Sequence, residues 1–136
     1  MRIAAAASDA LRRLAAASYP VEGCGVLLGR FGAEPSVVEA MPGRNLVTER
    51  ARDRYELDPL DILAAERGAR ERGLDVVGFW HTHPDHPARP SGFDTERAWP
   101  DYVYAICSVT AEGVADLRWW RLEGEAFAEL DAEEAA

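Results

Sequence analysis

The feature that most constrains this chain is an apolar run that ends in histidines: Val76-Val77-Gly78-Phe79-Trp80, followed at once by His81-Thr82-His83-Pro84. An unbroken apolar run of this length reads as a buried strand. Alternate side chains of an extended backbone share a face, so His81 and His83 point the same way, about 6.6 Å apart along the strand. Two imidazoles on one face lie within reach of a common ion at about 2.0–2.1 Å each. All three histidines of the chain, His81, His83 and His86, fall in this segment. Pro84 removes a backbone donor and is expected to turn the chain out of the sheet, which places metal-binding chemistry at a strand end.

The loop that follows is rich in proline and polar groups and closes on Pro90-Ser91-Gly92-Phe93-Asp94. Ser91 reads as a helix N-cap and Asp94 falls in the first helical turn, where the helix dipole favours an ionised carboxylate. That ionised oxygen is a suitable hard ligand. Two His and one Asp leave the fourth position of a tetrahedral zinc open to water, the arrangement of a catalytic rather than a structural site. The water then needs a base. The candidate is Glu22 in Val21-Glu22-Gly23-Cys24-Gly25-Val26-Leu27-Leu28-Gly29, a lone acid set against an apolar strand start. On position alone Glu22 reads slightly better as an exposed loop acid, and the distant His-x-His-Pro and Ser-x-x-Asp segments reverse that preference.

The whole pattern is an upstream Glu in a Glu-x-Cys-Gly-x-Leu-x-Gly context, then His-x-His-Pro, six residues, and Ser-x-x-Asp. It resembles the JAMM (MPN+) zinc metallopeptidases over nearly the whole chain. The resemblance implies one zinc per chain held by His81, His83 and Asp94, with Glu22 as general base and then acid. It also implies that Ser91 donates a hydrogen bond to the developing oxyanion. The Ser91 hydroxyl is then asked to cap a helix and to serve the oxyanion, and Asp94 to ligate a metal and close a capping box, uses that compete. His86 lies beyond the family's ligand set, and Cys24, two residues from Glu22, would share its face without a second thiol to join it.

Family members cut after the Gly-Gly tail of ubiquitin or ubiquitin-like proteins. This chain has no room for the insertions that hold the ubiquitin body in larger members, and so looks like the compact prokaryotic branch that processes ubiquitin-like sulfur-carrier proteins. The expected activity is hydrolysis of an amide bond after the carrier's C-terminal Gly-Gly, with the extended tail able to add to a sheet edge. Two other readings stay open: a zinc peptidase of phage-tail or cell-wall peptides, and a non-catalytic interaction module. Retention of Glu22, both histidines, Ser91 and Asp94 weighs against the second.

A net charge of −9 disfavours nucleic acid and anionic membrane surfaces as partners. The Arg44, Arg50, Arg52 and Arg54 cluster is interleaved with Glu49, Asp53 and Glu56 and reads as a solvated mixed-charge loop. All 15 basic residues are Arg, so no lysine is offered for isopeptide conjugation. Cys24 and Cys107 sit in apolar surroundings and read as reduced core thiols. Neither a signal peptide nor an apolar run of membrane length is recognisable, which makes the cytoplasm the expected compartment. The sequence leaves room for a homodimer.

The expected architecture is α/β, a mixed sheet flanked by helices, similar to the JAMM/MPN (cytidine-deaminase-like) fold. Residues 1–130 form one domain and 131–136 a frayed acidic tail. The pattern predicts a helix over 8–18 capped by Ser8, then a strand from Cys24 to Phe31 in a hairpin with Pro35–Met41. A turn at 42–45 and a short strand at 54–57 follow. Asp58-Pro59 opens a helix that ends near Gly73 and packs its Leu60, Ile62 and Leu63 side on the sheet. A short helix from Ser91 to about Trp99 and strands over 102–109, 115–122 and 126–130 complete it. Trp99, Tyr102 and Trp119 are expected in the core.

Overall fold

The structure is a computed structural model that describes Met1–Ala135. Its elements in chain order are β1 (Arg2–Ala4), α1 (Ala5–Ser18), β2 (Cys24–Arg30), β3 (Ser36–Gly43), α2 (Pro59–Glu71), β4 (Asp75–Pro84), α3 (Gly92–Arg97), β5 (Val103–Thr110), β6 (Gly113–Glu123), β7 (Ala126–Leu130) and β8 (Glu133–Ala135). The strands form one eight-stranded sheet in the order β7-β6-β5-β4-β2-β3-β1-β8. It is mixed, since β4 runs parallel to β5, and β1 parallel to β3 and β8, while the remaining pairs are antiparallel. The expected α/β sheet flanked by helices is therefore observed.

Each helix lies where small or apolar side chains let it approach the sheet. Ala7, Leu11 and Ala15 of α1 bury against Leu27, Val77, Trp80, Ala105, Cys107 and Trp119 on one face. On the other face Ala65 and Ala69 of α2 meet Val26, Leu28 and Val76. Asp58 caps α2 through a bond of 2.9 Å from the Leu60 amide, with Pro59 at the first position. Of the three residues expected to pack on the sheet, Ile62 does so, whereas Leu60 is 71% and Leu63 44% exposed. Alanines permit the closer approach, and the leucines stand outward.

A one-residue irregularity decides which face carries the histidines. In the β2–β4 ladder Leu27 pairs with Gly78 and Leu28 with Val76, so Val77 is an extra residue on β4. Such a bulge inverts the alternation beyond it. Val77 and Trp80 thus face α1, while Phe79 joins Val76 on the α2 side. His81 and His83 follow Phe79 on that second face. The strand ends at Pro84, one residue past the histidines, as expected, and Thr82, His83 and Pro84 pair with Cys107, Ser108 and Val109 of β5. Asp85, at φ 58, makes the turn; Asp tolerates this left-handed conformation better than most residues.

Gly25 lies where β2 passes beneath the Trp80 indole, which donates to the Met41 carbonyl at 2.9 Å. A Cβ there would overlap both the indole and that carbonyl oxygen. Gly25→Ala is expected to destabilise the fold by about 1–3 kcal/mol. The check is a lower urea midpoint with an unchanged denaturant slope.

Several expectations are corrected. Ser8 lies inside α1, which starts at Ala5 without a side-chain cap, and its hydroxyl donates to Glu134. That bond and the β1–β8 pairing order residues 133–135 as an edge strand in place of a frayed tail; Ala136 lies outside the described residues. Pro42 and Gly43 belong to β3, and the strand expected at 54–57 reduces to one bridge between Asn45 and Leu57. α3 ends at Arg97, and Trp99 is 67% exposed whereas Trp119 is buried. Among the described residues no helix is long and apolar enough to cross a membrane.

Candidate metal centre and active site

Three ring and carboxylate atoms converge over the middle of the sheet. His81 Nε2 lies 3.2 Å from His83 Nε2. Asp94 Oδ2 lies 3.1 Å from His83 Nε2 and 3.3 Å from His81 Nε2. Ligands about 2.05 Å from a tetrahedral zinc stand about 3.3 Å from one another. The donor set and its spacing therefore fit zinc. Glu22 also reaches the imidazoles: one ligand atom of its carboxylate and one nitrogen of each ring all lie within 4.8 Å of one another. The histidines are shared between two carboxylates.

The two carboxylates are electrostatically unlike, and that difference separates what each can do. Burial opposes ionisation of Asp94. The hydrogen bonds and charge of His81, with hydrogen bonds from His83 and the Ser91 amide, outweigh it and hold the carboxyl well below its usual range. For Glu22 burial wins over the neighbouring His83 charge, and its carboxyl is pushed up to about 8. One group stays an anion and the other carries a proton near neutrality, the division expected of a ligand beside a general acid–base. Burial lowers the pKa of His81. In His83 burial acts the same way, but the hydrogen bonds to Asp94 and the Pro87 carbonyl prevail and raise it.

The sign of the Glu22 shift gives a pH test on metal-free protein. Its folded pKa of about 8 exceeds the ordinary 4.5. Between those values the folded state holds more protons than the unfolded one, so this contribution to stability declines as pH rises through that window, by at most about 1.4 kcal/mol per pH unit. Glu22→Gln is expected to remove the decline, seen as a variant that gains on wild type in urea midpoint from pH 5 to pH 8. Parallel curves for the two proteins would mean that Glu22 is not held protonated.

Local hydrogen bonds fix each group. The Ser91 amide donates to Asp94 Oδ2 at 2.9 Å and the Asp94 amide donates to Ser91 Oγ at 3.0 Å, a complete capping box at the start of α3. The same Asp94 oxygen closes the box and faces the imidazoles, so the two uses coincide. Nor do the two demands on Ser91 compete. The cap uses a lone pair of its oxygen and leaves the O–H free to donate, toward a cleft that Ser91 lines with Glu22, His83 and Asp94. His83 Nδ1 stands 2.8 Å from the Pro87 carbonyl, so that nitrogen donates to it and Nε2 is the one turned toward Asp94 and His81. His81 is oriented instead by Tyr55, whose ring stacks on it at 4.5 Å and 22°.

Glu22 is held by its backbone. Its amide donates to Ala51, and its carbonyl accepts from Asn45 Nδ2 at 3.1 Å. Asn45 also donates to the Arg54 carbonyl, and its side-chain oxygen accepts from the Val47 and Glu56 amides. One amide thus ties the 44–57 loop to the acid. Thr82, between the histidines, is buried and accepts from the Gly23 amide at 2.8 Å. Neither Asn45, Thr82 nor Tyr55 stands out in the sequence. Only the polar side chain of Thr82 amid buried strand residues hints at a specific partner.

The remaining candidates sit at the margin. Cys24 pairs with His81 across the ladder. Burial, with a smaller contribution from Glu22, pushes its thiol up to about 12, so it stays protonated. His86 is exposed and lines the cleft with Arg52 and Arg89. A second groove reaches Asp94 past Tyr55, Leu57, Ile62, Phe79 and Trp99. Phe93 stands on its wall between the guanidiniums of Arg54 at 4.5 Å and Arg97 at 5.0 Å.

Residues 4–123 match the family of prokaryotic homologs of the JAB domain. A protein of Haloferax volcanii named desampylase is 40% identical over 135 residues, which cover 96% of this chain and 93% of that one. A protein of Thermus thermophilus named "Probable TtuB-protein conjugate cleaving protease" is 33% identical over 87 residues, or 64% of this chain and 55% of that one. The solution structure of a protein from Desulfitobacterium hafniense superposes with a TM-score of 0.85 at 25% identity, covering 98% of this chain and 92% of that one.

Proposed function

The chain belongs to the prokaryotic branch of the JAMM (JAB/MPN) hydrolases, and from that membership we propose a zinc-dependent peptidase and isopeptidase that cuts after the C-terminal Gly-Gly of a ubiquitin-like or sulfur-carrier protein. The observation that carries the reading is the convergence of His81, His83 and Asp94 at 3.1–3.3 Å from one another, with the buried Glu22 carboxylate beside the two imidazoles. His81, His83 and Asp94 hold the metal. Zinc in that position supplies the Lewis acidity that makes water nucleophilic near neutral pH and polarises the scissile carbonyl.

Glu22 removes the proton of the attacking water and returns it to the leaving amine, so that one group is base and then acid. A carboxyl whose metal-free value is already near neutrality is suited to this exchange. The Ser91 hydroxyl donates to the oxygen that gains charge, while its own oxygen stays fixed by the Asp94 amide. The 44–57 loop and α3 wall the approach. Sheet addition by the substrate tail beside the site is limited to the end of β4 beyond the Cys24–His81 pair, since the edges of the whole sheet are β7 and β8. The groove lined by Tyr55, Phe93 and Asp94 suits a tail without side chains.

Protein conjugates of ubiquitin-like carriers are the substrate class that the names of the two relatives support. The test is the intact mass of a Gly-Gly-terminated sulfur-carrier protein bearing a C-terminal cysteine, after incubation with the zinc-loaded enzyme. Loss of the cysteine mass, abolished by chelator, is expected. An unchanged mass with zinc bound, together with cleavage of a phage-tail or cell-wall peptide, would overturn the substrate assignment.

A further inference from the structure

The loop from Asp85 to Pro90 carries no side chain of the candidate metal set, yet three neighbouring carbonyls in it are pinned. The Ser108 hydroxyl donates to the His86 carbonyl at 2.6 Å. The Trp120 indole donates to the Ala88 carbonyl at 3.2 Å, in a fully buried bond. Between them, the Pro87 carbonyl faces His83 Nδ1 at 2.8 Å. The Asp85 amide ties the loop's beginning to the Val109 carbonyl at 2.8 Å. Apart from His83 itself, the pinning groups belong to β5 and β6, and Ser108 stands opposite His83 in the β4–β5 ladder. Both side chains are nearly buried, Ser108 at 9% exposure and Trp120 at 8%.

We propose that Ser108 and Trp120 are positioning residues for His83: by fixing the carbonyls on either side of Pro87 they hold its carbonyl on Nδ1 and so keep the Nε2 lone pair aimed at the metal position. The reason lies in the loop itself. Pro84, Pro87 and Pro90 supply no N–H groups, so the loop has few bonds of its own with which to hold a carbonyl in place. A hydrogen bond on the outer nitrogen of a ligating imidazole sets its tautomer and ring orientation, and loss of such partners weakens metal binding by about 10–100-fold. Trp120 also packs on Ala88, Tyr104 and Ile106, which makes the underside of the loop part of the core.

The inference rests on His83 being a metal ligand, and the experiment separates failure of the two. Ser108→Ala and Trp120→Phe each remove one donor and keep most of the packing; Ser108→Thr restores a hydroxyl. Imidazole nitrogen shifts of the metal-free proteins report the His83 tautomer, and competition titration reports zinc affinity. Both donor-free variants are expected to show a mixture of His83 tautomers and zinc binding weakened about 10-fold or more, with Ser108→Thr close to wild type in both. Wild-type tautomer and affinity in folded Ser108→Ala and Trp120→Phe would overturn the proposal, as would a loss of stability without a tautomer change. Failure of the wild type to bind zinc would refute the ligand reading separately, and the tautomer shifts would still decide whether the clamp exists.

Discussion

Glu22→Gln is expected to bind zinc as wild type does and to lose turnover by about 100-fold to 10,000-fold, the range set by loss of a general acid–base group. The substitution is close to isosteric, and it imitates the protonated carboxyl that burial already favours at this position. The backbone contacts of Glu22 with Ala51 and Asn45 do not involve its carboxyl and are retained. The loss therefore belongs in kcat with little change in KM, because the proton is moved in the transition state and not on binding. Single-turnover rates at saturating zinc measure it. A variant that turns over normally would remove Glu22 from the proton path.

The second large effect concerns Asp94. Asp94→Asn retains a side-chain oxygen for the Ser91 amide, so the capping box can close and α3 remains. It removes the anion: the oxygen that closes the box is also the one that faces the imidazoles, so a neutral amide oxygen takes the carboxylate's place there. Zinc affinity is expected to fall about 100-fold or more, since a neutral amide is a poor ligand where a carboxylate stood. At a zinc concentration near 100 times the dissociation constant, wild type gains about 2.7 kcal/mol of stability. Thermal unfolding with and without zinc shows this gain in wild type, and the variant should lose most of it. A variant with intact affinity would leave Asp94 as a helix cap alone.

Much of this site was legible in the sequence because its signals are local. The spacing of His81 and His83 needs only the period of a strand, and the link from Ser91 to Asp94 needs only the first turn of a helix. Both relations hold in the structure. What decides that the histidines face α2 and not α1 is the extra residue Val77, and a bulge has no signature in an unbroken apolar run. The pinning of Glu22 by Asn45 and the stacking of Tyr55 on His81 join segments 23 and 26 residues apart, through a loop without periodicity. The same limit applies to β1 and β8, whose parallel pairing brings the two ends of the chain together. On α2 the leucines misled because hydrophobicity was weighed without size: Ala65 and Ala69 fit beneath the helix, and Leu60 and Leu63 do not.

The central claim is the division of labour between the two carboxylates that flank His81 and His83. Glu22 with both imidazoles is itself compact enough to grip an ion, so the assignment is open to direct contradiction. Native mass spectra of wild type, Glu22→Gln and Asp94→Asn after equal zinc loading test it in one experiment. One zinc on wild type and on Glu22→Gln, with none on Asp94→Asn, is the predicted result. Zinc retained by Asp94→Asn and lost from Glu22→Gln would make Glu22 the ligand and contradict the account.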